Sequence, residues 1–264
     1  MIAKLSLRAA ALGYLALLLL LPVSMVIWRT LSSGLGTAWA AGSRPEAVHA
    51  FWLTLGIAVA AVAANTVFGV LCAIVLVRHD FRGKALLGSV IDLPLAVSPV
   101  VVGLALIVVY GRSGWLGGWL AEQGVRIIFS PLGMILATIF VSLPFVVREV
   151  VPVLREIGTE QEQAAGTLGA SAMQTFRLVT LPAIRAGVAY GVVLTTARAI
   201  GEFGAVAIVS GKLVGRTETL TLYVEDRFQS FDLVGAYAAS ALLAMMAVGT
   251  LLVLNLARPD ESTV

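Results

Sequence analysis

Six predominantly apolar segments follow one another along the chain, at about residues 9–31, 51–77, 86–110, 127–147, 186–209 and 233–256. A bilayer core ~30 Å thick is crossed by about 20 helical residues rising ~1.5 Å each, so each segment is long enough to span. The connectors fall at 32–50, 78–85, 111–126, 148–185 and 210–232. The pattern predicts an all-α integral membrane protein with six transmembrane helices in one domain, residues 1–264. Pro22, Pro94, Pro99 and Pro144 lie inside predicted spans. Each removes a backbone donor, and the freed carbonyl must find another partner. The run DLPLAVSPVVVGL (92–104), with Ser98-Pro99 at its centre, is therefore a candidate bend beside a permeation path. Gly187 and Gly191, four residues apart, give the fifth span a face that allows close helix approach.

The connector at 148–185 is long enough to carry structure of its own. Glu160 to Leu168 consists of helix formers, with Thr159 placed to cap it and acids in its first turn, where the helix dipole favours them. Gly169 permits a turn, and Ser171 can cap a second helix that Leu181-Pro182 ends. Met173, Phe176 and Val179 form an apolar stripe on that helix. It can pack under the spans or fill a groove in a soluble partner.

Composition agrees with the membrane reading: 59% of residues are hydrophobic and 12% charged, against roughly 25% charged in soluble domains. The net charge of +3 is too slight and dispersed to suggest nucleic acid. Lys4 and Arg8 precede the first apolar run, but that run is too long for a signal peptide, so a retained span is expected. Alternate loops place ten Lys and Arg on one side and seven on the other, with Arg198 inside the fifth span. The side carrying RHDFRGK (78–84) and the 148–185 loop reads as cytoplasmic, with both termini on that side. Cys72 has no partner cysteine. His49 and His79 lack metal-ligand companions, no metal site is expected, and Asp92 reads as an interfacial anchor.

The stretch EQEQAAGTLGASAMQTFRLVTLP (160–182) resembles the EAA loop of ABC-importer permeases, in which E-A-A is followed by Gly and then by a hydrophobic residue shortly before L-P. Ala164, Ala165, Gly169, Val179, Leu181 and Pro182 fall in register; Gln163 stands at the usual Glu position, with Glu162 one residue earlier. The segments 80–104, 143–154, 195–211 and 217–228 look like the W-type subunit of sulfate/thiosulfate permeases. The resemblance implies a type I importer permease with a cytoplasmic coupling helix, in the bacterial inner membrane. It implies as partners a T-type permease subunit, an ABC ATPase dimer and an extracytoplasmic sulfate-binding protein. Glu160, Glu162, Gln163, Ala164, Ala165, Gly169, Phe176, Leu181 and Pro182 would form the ATPase-docking loop. No G-x-x-x-x-G-K-S/T phosphate loop occurs, since Gly211-Lys212 is followed by Leu213. ATP would bind the partner, and the chain itself is expected to be neither an enzyme nor a cofactor carrier. A molybdate or tungstate permease is the alternative substrate reading.

Arg198 and Glu202 stand four residues apart inside the fifth span, on one helical face where they can pair. Intramembrane charges are costly and need a partner or a watery surface. The pair either ties helices together or flanks an anion path, with Thr195 and Thr196 near the same depth. Ser98, Pro99, Thr195, Arg198 and Glu202 are the candidate path residues.

Overall fold

In the computed structural model, which describes residue 8 and residues 11–256, the chain is helical with short connections. The helices are α1 Ala11–Ser32, α2 Leu35–Gly42, α3 Pro45–Arg78, α4 Lys84–Ala96, α5 Pro99–Tyr110, α6 Gly117–Glu122, α7 Pro131–Glu156 and α8 Glu160–Thr167. They continue with α9 Ala172–Ala183, α10 Arg185–Ile200, α11 Gly204–Val209, α12 Leu220–Gln229 and α13 Leu233–Leu256. Lys4, Arg258 and both chain ends lie outside the described residues.

Among the described residues, four helices, α1, α3, α7 and most of α13, are continuous and apolar enough to cross a membrane. The expected third span is instead two helices, α4 and α5, bent by 113°. The cause is local. Pro99 opens α5, and the residue before a proline is pushed out of the helical region; Val97 (φ −95, ψ 135) and Ser98 (φ −59, ψ 134) are both extended. The expected fifth span also departs from a straight helix. α10 stops at Ile200, residues 201–203 break it, and α11 restarts at Gly204. At its other end α10 meets α9 at 70°, and counting each bent pair as one span gives six crossings.

Two single π turns have one shared explanation. They cover Ala16–Leu20 and Phe176–Thr180, and each ends in a Leu-Pro pair, Leu21-Pro22 and Leu181-Pro182. The proline ring clashes with the carbonyl four residues back, and the preceding turn widens to bond i to i+5. Accordingly the Leu21 N–H donates to the Ala16 carbonyl and the Leu181 N–H to that of Phe176.

The centre of the bundle is the contact of α3, α7 and α10. Val146 of α7 is the common knob. A methyl on Gly69 of α3 would lie 2.7 Å from Val146 Cβ, and one on Gly191 of α10 would lie 2.8 Å from Val146 Cα. Gly187 approaches the Glu149 carbonyl as closely. The glycine pair thus has the close approach expected of it, and α3 supplies a third member. One turn from this contact, Asn65 donates to Ser142 Oγ at 2.9 Å and to the Ile139 carbonyl at 3.1 Å. This polar layer divides the core. One apolar cluster holds Ile57, Val102, Met134 and Val206; a second holds Val70, Val146, Val150 and Ile184.

The connectors gather at two ends. At one, called here the loop end, Arg78 meets Glu162 and Arg148 meets Asp92. At the far end Arg44 meets Asp232, and the Phe129 N–H donates to the Val209 carbonyl. Gly191→Ala should destabilise the protein by roughly 1–3 kcal/mol, because its methyl meets backbone that cannot step aside. Gly56→Ala, whose methyl meets nothing within 4 Å, should be neutral or stabilising. Thermal unfolding of the two variants in detergent checks the contrast.

Candidate functional site

At the loop end, α8 and α9 form a helix-turn-helix. Gly169 has φ +85, a conformation that glycine adopts without strain. The Ala170 N–H donates to the Ala165 carbonyl and the Gly169 N–H to that of Gly166, both 3.0 Å, closing α8 with a Schellman motif. Ser171 opens α9 with a capping box: its Oγ accepts from the Gln174 N–H, and its own N–H donates to Gln174 Oε1 at 2.8 Å. Thr159 does not cap α8 as expected; its hydroxyl accepts from Gln163 Nε2 at 2.9 Å.

The loop is held by an arginine that sequence reasoning counted only as a loop charge. Arg78, the last residue of α3, places Nε 2.9 Å from Glu162 Oε2 and Nη2 3.3 Å from Oε1. Its Nη1 donates to the Leu154 carbonyl at 3.0 Å and Nη2 to the Gly158 carbonyl at 2.6 Å. Glu162 Oε1 also accepts from the Thr180 hydroxyl at 2.7 Å. The side chains of Arg78 and Glu162 are 11% and 20% exposed. One guanidinium therefore fixes the ends of α3 and α7 and, through Glu162, both helices of the loop. A lysine point charge could not bond along so many directions.

The π turn rotates the expected apolar stripe. Phe176 packs on the core cluster under the spans and Val179 is half-buried, while Met173 turns outward. Leu168, Met173 and Leu178 are 89%, 64% and 75% exposed, so apolar side chains project from the loop's outer surface. Glu160, Gln163 and Ala164 are exposed beside them, as are Leu181 and Pro182; Ala165 is half-buried.

The second group of residues lies where the two helix breaks meet. Arg198 Nη2 is 2.6 Å from Glu202 Oε2, with the arginine side chain 30% exposed and the glutamate 1%. Glu202 Oε1 accepts the Ala205 N–H at 3.0 Å, so the same carboxylate caps the restarted helix. The Glu202 carbonyl accepts from the Thr221 hydroxyl at 3.0 Å. Pro99 Cβ lies 2.9 Å from where a methyl on Gly204 would be, which sets the α4–α5 break against the α10–α11 break. Ser98 is exposed at the start of α5 and Pro99 half-buried. Thr195 does not join them on an exposed surface: it is fully buried, one turn beyond Gly191, and its hydroxyl has no hydrogen-bond partner. The segment 217–221 ties the second break to α3, because Thr221 bonds the Glu202 carbonyl and the Leu220 N–H donates to Thr54 Oγ1 at 2.8 Å.

These features define a multi-pass helical membrane protein with two facing helix breaks and a helix-turn-helix loop at one end. Residues 65–258 match the binding-protein-dependent transport system inner membrane component, and the chain belongs to that family. It is 50% identical over 94% of its length, and 90% of the relative's, to the sulfate transport system permease protein CysW of Synechocystis sp.. It is 43% identical to the corresponding CysT protein of Synechococcus elongatus, covering 92% of this chain and 87% of that one. These relatives are permease subunits, transport components rather than enzymes. Among solved structures it matches a chain of a bacterial alginate ABC transporter in complex with an alginate pentasaccharide-bound periplasmic protein, at TM-score 0.80 and 16% identity, covering 96% of this chain and 92% of that one. That likeness establishes the type I permease fold.

Arg78→Gln should cost roughly 2–3 kcal/mol by leaving the half-buried Glu162 without its counter-ion. Glu162→Gln, which keeps a carbonyl for Thr180 and Arg78, should cost less. Thermal unfolding ranks the two. A second test addresses Glu218, which is 2% exposed at the far end. Burial, then the charge of Asp226, pushes its carboxyl above the usual range, against Arg227. A raised carboxyl contributes stability below its unfolded pKa of about 4.3 that is lost as pH rises through the folded value. Glu218→Gln should therefore raise the melting temperature at pH 7 and lose that advantage at pH 4.

Proposed function

We propose that this chain is a W-type permease subunit of an ATP-driven sulfate importer in the bacterial inner membrane, with both termini cytoplasmic. It forms half of the translocation path and pairs with a T-type permease subunit. An ABC ATPase dimer docks on the α8–α9 loop, and an extracytoplasmic sulfate-binding protein delivers the anion at the far end. The observation that carries the reading is the CysW identity across nearly the whole chain. The higher identity to CysW of Synechocystis sp. than to CysT of Synechococcus elongatus, 50% against 43%, favours the W-type place in the pair.

The exposed face of the loop supports the docking part of this reading. The ATPase meets the outward side of a helix-turn-helix bearing Leu168, Met173 and Leu178, the type of apolar surface that seats in a groove. Gln163 stands at that surface as a neutral group, while the neighbouring acid Glu162 is turned inward to Arg78. Motion of the ATPase is then passed through Arg78 to α3 and through the carbonyls of Leu154 and Gly158 to α7.

Ser98, Pro99, Arg198 and Glu202 flank the path, with Thr195 backing its wall. Glu202 neutralises most of the arginine's charge while the guanidinium keeps an exposed edge. A tetrahedral dianion passing that edge meets donors without meeting a full, unbalanced positive charge, so it is attracted and still released. In proteoliposomes carrying the complete transporter, ATP-dependent uptake of radiolabelled sulfate is expected, suppressed by excess unlabelled sulfate and hardly by molybdate. Uptake of molybdate without sulfate would overturn the substrate assignment. Replacing Arg198 with Met and Glu202 with Gln together should leave assembly intact, since Gln keeps an acceptor for the Ala205 N–H and neutral exchange of a buried pair is tolerated, and cut uptake by about tenfold. Wild-type uptake from that double variant would make the pair structural.

A further inference from the structure

Between the ends of α3, α4 and α7 at the loop end lies a groove of about 370 Å³ that neither the transport path nor the docking loop uses. Its floor is apolar, formed by Leu76, Ile91, Val147 and Val151. Gly88 keeps it open: a methyl there would meet nothing within 4 Å. At the contact of α3, α7 and α10 the opposite holds, where Val146 fills the space beside Gly69 and Gly191 at 2.7–2.8 Å. A glycine inside a helix costs roughly 0.5–1 kcal/mol relative to alanine, and here no contact within the chain requires it.

The groove carries charge as well as apolar surface. Lys84, Arg148 and Arg155 line it against the single acid Asp92. Arg148 is committed to Asp92, with Nε 3.0 Å from the carboxylate and both side chains half-exposed. Lys84 holds Asp80, a carboxylate that is itself 98% exposed. Arg155 has no ion pair among the described residues. The lining therefore has an excess of two positive charges, one of them unmatched. Lys84 opens α4 and Arg155 lies in the last turn of α7, so the two cations stand where membrane segments end and the apolar floor runs inward from them.

We infer that this groove is a site for an anionic phospholipid, whose phosphate sits among Lys84, Arg155 and the outer edge of Arg148 and whose acyl chain lies along the floor past Gly88. Basic pockets between membrane helices take anionic headgroups in this way. A helix from another subunit would bury the unmatched Arg155, which is costly unless that helix brought an acid to the same place. A small free dianion would engage the rim and leave the apolar floor wet.

The test uses the complete transporter in nanodiscs made of phosphatidylethanolamine with a minor share of phosphatidylglycerol, and native mass spectrometry counts the lipids retained. Phosphatidylglycerol should be retained in preference to phosphatidylethanolamine. Lys84→Gln combined with Arg155→Gln should lower that retention about tenfold. Gly88→Leu, which fills the floor and leaves every cation in place, should lower it as well. Equal retention of the two lipids by the unmodified transporter would overturn the inference, as would phosphatidylglycerol retention unchanged in both variants. Sulfate in the buffer distinguishes the remaining source of an oxyanion: displacement of the lipid by millimolar sulfate would assign the rim to the free dianion instead. Subunit stoichiometry in the same spectra separates loss of lipid from loss of assembly.

Discussion

Everything else in the fold is arranged around Val146, a side chain that meets hydrogen where two neighbouring helices could have carried methyl groups. Helices in a bilayer gain little from the hydrophobic effect on associating, because lipid tails are as apolar as their side chains. Close van der Waals contact replaces it, and Gly69, Gly187 and Gly191 give α3 and α10 the approach to α7 that this requires. The Asn65–Ser142 hydrogen bond one turn away adds direction to a contact that dispersion alone would leave free to slide.

That three-helix centre allows the helices beyond it to be irregular, including the continuation of α10 past Ile200. Lipid-exposed broken backbone would be prohibitive, but it is tolerated where protein covers it. The breaks at 97–98 and 201–203 face each other through Pro99 and Gly204, and Glu202 supplies an acceptor to one of the donors that the second break frees. A charge that would be a liability in a straight helix becomes the cap of a broken one, with Arg198 as its counter-ion.

The loop and the facing breaks are joined by one rod. α3 runs 34 residues, about 50 Å at the helical rise. Arg78 at its end clamps the loop, while Thr54 near its start receives the Leu220 N–H of the segment that holds the second break. The loop and the second break are thus linked through packed, hydrogen-bonded elements.

The sequence by itself determined the elements whose cause is local. Apolar runs of bilayer length are read directly. Gly169 and Ser171 produced the turn and cap their residue types favour, and the 160–182 pattern carried enough register to point to the permease superfamily. Proline positions marked where α4 and α5 part, though not the 113° between them, since the chain's exit direction depends on what the second helix packs against. Tertiary structure alone decided the partners. Arg78 looked like any loop-end arginine until α7 and α8 brought Glu162 and two carbonyls to it, 76 to 84 residues away in sequence. Thr195 shared a depth with Arg198 and Glu202, yet fell on the face that α7 covers. Which side of a helix becomes core and which becomes path is a property of its neighbours, and a hydrophobic helix has no polar face to announce the choice.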